Sequence, residues 1–107
     1  MVVGGAGGSR ITTATVTLLF RYLFFGEDLD SVMAARRLHH QLAPMVVDYE
    51  KGFDETILDG LRERGHVVKE KSPDAGFAAA TAITKGMDHE VSAAFDPRRG
   101  GSVEIVA

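Results

Sequence analysis

Four glycines stand within five positions near the start of the chain: Gly4, Gly5, Gly7 and Gly8, followed by Ser9 and Arg10. Between a strand and a helix such a cluster can cradle a phosphate, carry a dinucleotide, hold a simple anion or present N–H groups to a developing oxyanion. It can also be nothing more than a tight turn, because glycine adopts positive φ without steric cost. A dinucleotide fingerprint requires G-x-G-x-x-G, and no register of these glycines supplies the last one. A phosphate loop requires Gly-Lys-Ser/Thr, whereas Gly8 leads into Ser9-Arg10. Both nucleotide readings fail on residues they need.

The oxyanion reading survives on physical grounds. The first N–H groups of a helix have no intrahelical partner and carry the positive end of the helix dipole. Glycines just ahead of them let a reacting carbonyl approach without a Cβ in the way. Removing one such donor in an acyl-transfer enzyme costs roughly 3–4 kcal/mol of transition-state stabilisation. Anion binding without chemistry at Gly7-Gly8-Ser9 and a plain structural turn remain open beside it.

The other chemistry-bearing residues are less organised. There is no cysteine, which excludes a disulfide framework, a thiolate metal site and a cysteine nucleophile. His39 and His40 are adjacent, and adjacent histidines on a helix point in different directions. Neither H-x-x-x-H nor H-E-x-x-H spacing is present, so a structural or surface role is expected for the pair. Ser9 is expected to cap a helix, with Thr12 and Thr13 inside it, and none of the three has an evident base. Asp28, Asp30, Arg36 and Arg37 suit a solvated helix face, and Asp96-Pro97-Arg98-Arg99 suits an ion pair across a turn.

These residues must be held by elements the sequence outlines. Met1–Val3 predicts a strand, and Ser9 onward predicts a helix that is apolar nearly all round and ends near Gly26. A second helix is expected over Leu29–Leu38 with Asp28 or Asp30 as cap, then a strand over Met45–Glu50. Asp54 and Gly65 bracket a third helix, with Ile57, Leu58 and Leu61 as its buried stripe. His66–Lys71 predicts a strand and Ser72–Gly76 a loop. Phe77–Thr84 and Glu90–Phe95 predict a hairpin around Lys85-Gly86-Met87-Asp88. The order is that of a layered α/β fold.

The 107 residues fit one small domain. A net charge of -3 with scattered basic residues gives no footprint for nucleic acid or an anionic membrane. The most apolar stretch, Ile11 to Phe25, contains Arg21 and is too short to span a bilayer. No targeting signal is visible at Met1. A strand stub of three residues leading straight into the glycines predicts that the chain is cut at its front.

Several blocks then become specific together. "GGAGGSRITTAT" is followed by "FGEDLDSVMAARRLHHQLAP", "VDYEKGF", "LRERGHVV" and "AAFDPRRGG", in that order. From Met1 to Gly101 the chain strongly resembles the C-terminal part of the small subunit of gamma-glutamyltranspeptidases, the glutathione hydrolases. The resemblance implies part of an αββα N-terminal-nucleophile hydrolase sandwich lacking its upstream strands, with residues 1–107 as one partial domain. It implies transfer or hydrolysis of the γ-glutamyl group of glutathione by an N-terminal threonine whose own amine is the base. The family's paired glycines place the oxyanion hole at Gly7 and Gly8, with Gly8 also at the donor-substrate site.

The same resemblance puts the nucleophile, its supporting groups and the large subunit outside Met1–Ala107, so the chain alone is expected to be inactive. Its partners would be the rest of the small subunit, the large subunit and γ-glutamyl substrates. No cofactor, metal, nucleic acid or membrane contact is implied for this segment. The complete enzyme would work at the extracellular face of the plasma membrane. The alternative is a truncated, non-catalytic paralogue that binds a partner through apolar surface such as Phe20, Leu23 and Phe24.

Overall fold

The computed structural model describes residues 1–72 and 76–106. Its elements run β1 (Val2–Ala6), α1 (Arg10–Leu23), α2 (Leu29–Ala34), β2 (Leu38–His39) and β3 (Val47–Glu50). They continue with α3 (Glu55–Glu63), β4 (Val68–Lys71), β5 (Ala79–Lys85) and β6 (Val91–Phe95). The class is mixed α/β, as the pattern predicts. Pro73–Ala75 of the expected Ser72–Gly76 loop lie outside the described residues. The chain forms two compact units, Met1–Ala35 with Ala78–Ala107, and Arg36–Phe77.

In the first unit β1, β5 and β6 form an antiparallel sheet in the order β1-β5-β6. Strand β5 alternates strictly: Ala80, Ala82 and Thr84 are buried, while Thr81, Ile83 and Lys85 are exposed. The buried positions are small, so the helices can lie close to the sheet. Leu18 of α1 and Leu29, Val32 and Met33 of α2 pack with Ala80, Ala82 and Ala94 into one core. Leu18 is fully enclosed. The hairpin forms where predicted, with the Gly86 N–H donating to the Glu90 carbonyl at 2.8 Å.

Three expectations for this unit are corrected. Strand β1 reaches Ala6 and takes in Gly4 and Gly5, whose poor strand propensity is overridden by pairing with Thr81 and Ala80. Helix α1 is not buried all round: only Ala14 and Leu18 are buried, whereas Val16, Phe20, Leu23 and Phe24 are exposed. One sheet covers one face of a helix. Ser9 occupies the N-cap position but with helical dihedrals, and its side chain makes no capping bond. Asp28 does cap α2, accepting from the Ser31 N–H at 2.9 Å and the Ser31 hydroxyl at 2.6 Å. Arg21 and Glu27 close a bidentate ion pair past the end of α1.

The second unit is a β-α-β arrangement with an added strand. Strand β3 pairs parallel with β4 across α3, and antiparallel with β2. Asp54 caps α3 by accepting from the Thr56 N–H at 2.9 Å, as expected. Its stripe is narrower than predicted: Leu58 is fully buried but Ile57 is 49% exposed. Helix α2 stops at Ala34, and Leu38–His39 is strand rather than helix. Arg37 consequently leaves the solvated helix face assigned to it and is buried, its N–H donating to Glu50 Oε1 at 2.6 Å.

Candidate active-site turn

The glycine cluster is divided by the sheet. Gly4 and Gly5 stand opposite Thr81 and Ala80 in the β1–β5 ladder, and Ala6 stands opposite Ala79. The chain leaves the ladder at Gly7 and Gly8 and enters α1 at Arg10. Only the second pair of glycines is turn.

These two are glycine for different reasons. Gly7 has φ +140°, and a Cβ there would lie 2.6 Å from the Ala78 Cα and 2.9 Å from the Ala78 Cβ. Its backbone lies directly on the residue preceding β5, with no room for a side chain. Gly8 has φ +68°, in the left-handed region, and a Cβ built on it meets nothing within 4 Å. The space over Gly8 is open to another group. The Gly8 carbonyl accepts the Ile11 N–H at 3.1 Å, which joins the turn to the first turn of α1. The start of α1 therefore shares one corner with the turn.

Two threonine hydroxyls of α1 are engaged in the helix. Thr13 Oγ1 donates to the Arg10 carbonyl at 3.3 Å and Thr17 Oγ1 to the Thr13 carbonyl at 2.7 Å. A threonine that bonds back to its own helix turn is not poised as a nucleophile.

Sequence reasoning missed what supports the turn. Ala78 is the floor under Gly7, and Asp96 reaches the adjacent strand to accept the Ala80 N–H at 2.9 Å. Asp-Pro directly after a strand is the signal that could have pointed to the second contact, because an Asp there turns its side chain onto nearby backbone. The Asp96–Arg98 ion pair lies where the sequence suggests one, at 2.9 Å.

The histidines belong to the other unit, on and beside β2 rather than on a helix. His39 is buried with its Nε2 2.8 Å from Gln41 Oε1, and the Leu42 N–H donates to His40 Nδ1 at 3.0 Å. The His40 and His66 rings meet edge to face at 6.2 Å. Among the described residues no group of three or more His, Asp or Glu is arranged to hold a metal ion. None of their helices is long and apolar enough to cross a membrane.

Comparison with known proteins gives a consistent picture. The Gamma-glutamyltranspeptidase family profile matches residues 1–106. Scoloptoxin SSD14 of Scolopendra dehaani is 36% identical over 105 residues, 97% of this chain and 18% of that protein. Glutathione hydrolase proenzyme 2 of Schizosaccharomyces pombe is 32% identical over 102 residues, 94% of this chain and 16% of that protein. The solved gamma-glutamyltranspeptidase of Pseudomonas nitroreducens, complexed with L-DON, superposes with a TM-score of 0.84 at 28% identity. That match covers 99% of this chain and 55% of the solved one. The chain thus spans less than a fifth of the two curated relatives' length and about half of the solved chain. Its α/β fold is accordingly part of the layered fold of those enzymes, and the chain belongs to the gamma-glutamyltranspeptidase family, fitting the C-terminal part.

Proposed function

We propose that this chain is the C-terminal part of an enzyme that hydrolyses or transfers the γ-glutamyl group of glutathione and related amides. Residues 1–107 supply one part of a larger sandwich domain, and the Gly7–Gly8 turn supplies the oxyanion hole. The observation that carries this reading is the left-handed Gly8, open on its side-chain side, at the entrance to α1 and within the family match.

In this reading a threonine hydroxyl from outside the chain attacks the γ-carbonyl carbon, and the threonine's own amine takes the proton. The carbonyl oxygen becomes an oxyanion and is received by the Gly7 and Gly8 N–H groups. Collapse expels the amine, which takes the proton, and leaves a γ-glutamyl ester. Water or an amino acid then attacks the ester through the same tetrahedral geometry. Gly8 also lines the donor site, where a side chain would project into the space the glutamyl group needs. The rest of the small subunit and the large subunit are the partners, and the complete enzyme works outside the cell.

The test is turnover of a chromogenic γ-glutamyl amide. The complete protein releases the chromophore, Gly8→Asp suppresses that release, and the isolated 107-residue chain shows none. Turnover by the isolated chain that survives Gly8→Asp overturns the reading. Failure of the complete protein to act on any γ-glutamyl amide favours a binding role instead.

A further inference from the structure

Asp96 lies just past the end of β6, and its side chain is almost wholly enclosed. The β5–β6 register pairs Thr81 with Phe95, so the next pair would be Ala80 with Asp96. There the β6 backbone turns away at Pro97, and the Asp96 side chain supplies the acceptor that the ladder no longer provides. Oδ2 accepts the Ala80 N–H at 2.9 Å. Oδ1 accepts both the Arg98 N–H and Arg98 Nη1, each at 2.9 Å. The Arg98 fork continues to the end of α2, donating to the Met33 carbonyl at 3.1 Å and the Ala35 carbonyl at 2.7 Å.

Ala80 is in turn the partner of Gly5, and Ala78 two residues before it carries Gly7. A continuous path of hydrogen bonds and contacts therefore runs from the end of α2 through Arg98 and Asp96 to the strand start beneath the glycine turn. Charge-assisted bonds in a buried setting are among the stronger non-covalent restraints available. The path ends at the turn whose N–H positions would decide how well an oxyanion is received.

We propose that Asp96 and Arg98 are positioning residues for the Gly7–Gly8 turn, fixing Ala78–Ala80 so that the two N–H groups hold one geometry. The proposal rests on the oxyanion reading of that turn for its catalytic meaning, and on the geometry alone for the mechanical link. The two parts separate experimentally with Asp96→Asn, which loses the charge, and Arg98→Lys, which keeps charge but cannot fork. Arg98→Lys is the milder change and serves if Asp96→Asn does not fold.

Glycine-selective ¹⁵N labelling of the 107-residue chain reads the link. In both variants the Gly5, Gly7 and Gly8 amide peaks shift or broaden, while Gly52, Gly60 and Gly65 keep their positions. Unmoved Gly7 and Gly8 peaks in both variants overturn the proposal, and global loss of dispersion in Arg98→Lys does so too. In the complete enzyme, kcat for a γ-glutamyl amide falls about 10- to 100-fold with KM within about twofold, since a small misplacement of catalytic groups has effects of that order. Shifted glycine peaks with unchanged kcat would instead overturn the oxyanion reading of the turn and leave the mechanical link standing.

Discussion

Gly7→Ala and Gly8→Ala make a discriminating pair, because the two glycines are adjacent and both exposed yet differ in what surrounds them. At Gly7 a methyl group would sit 2.6 Å from one backbone carbon of Ala78 and 2.9 Å from its Cβ. A non-glycine residue in so sparsely populated a backbone region costs roughly 1–3 kcal/mol. Overpacking against neighbours that cannot retreat adds roughly 1–3 kcal/mol. At Gly8 the methyl meets nothing, and only the left-handed conformation is penalised, by roughly 1–2 kcal/mol. In both variants alanine restricts the unfolded chain and returns about 0.4–1 kcal/mol. The net expectation is about 3 kcal/mol for Gly7→Ala and about 1 kcal/mol or less for Gly8→Ala.

Tyr22 and Tyr49 are the two tyrosines and there is no tryptophan, so a Tyr49→Phe background leaves Tyr22 to report on the unit that holds Gly7 and Gly8. With a urea m-value of about 1.5 kcal/mol per M, Gly7→Ala lowers the midpoint by about 2 M and Gly8→Ala by less than about 1 M. Adding Ala78→Gly to Gly7→Ala relieves the contact with the Cβ but not that with the Cα, so only part of the loss is recovered in a double-mutant cycle. Equal midpoints for Gly7→Ala and Gly8→Ala would refute the claim that Gly7 is held against Ala78.

Other consequences are simpler to read. Bonds from the Ser31 hydroxyl and N–H hold the Asp28 carboxyl below its usual pKa. Its contribution to stability is therefore complete above about pH 4 and is lost as pH falls through the lowered folded value. Asp28→Ala should flatten the acid limb of the thermal-stability profile, and an unchanged limb would contradict the capping role. On the isolated chain the Phe20 and Phe24 rings meet at a tilt, centroids 5.2 Å apart, on an exposed face, with Phe24 72% exposed. Phe20→Ser with Phe24→Ser should reduce concentration-dependent light scattering; unaltered scattering would place self-association elsewhere.

Local chemistry makes part of the architecture legible in the sequence alone. Asp54 and Gly65 bracket α3 with signals contained within the segment itself. The β5–β6 hairpin likewise follows from two strand-like runs flanking the glycine-containing connection Lys85-Gly86-Met87-Asp88. What escapes the sequence depends on partners distant in the chain. Gly4 and Gly5 look like turn residues until β5 pairs with them. Leu38 and His39 look helical until β3 offers a ladder, and Arg37 follows them out of the helix.

The candidate site is legible to the same extent. The choice of Gly7 and Gly8 is what the resemblance carried by the ordered blocks implies, because a four-glycine cluster alone leaves several chemistries open. The contrast between the two glycines cannot be read there. It is set by Ala78, far along the chain and just before β5, which crowds Gly7 and leaves Gly8 open.

The central claim is that the Gly7 and Gly8 amides receive an oxyanion. A crystal structure of the complete enzyme bearing a tetrahedral boronate adduct of a γ-glutamyl analogue tests this most directly. The expected result is an adduct oxygen about 2.7–3.1 Å from the nitrogens of both Gly7 and Gly8. An adduct oxygen turned toward other donors, with both glycine nitrogens beyond hydrogen-bond distance, would contradict it.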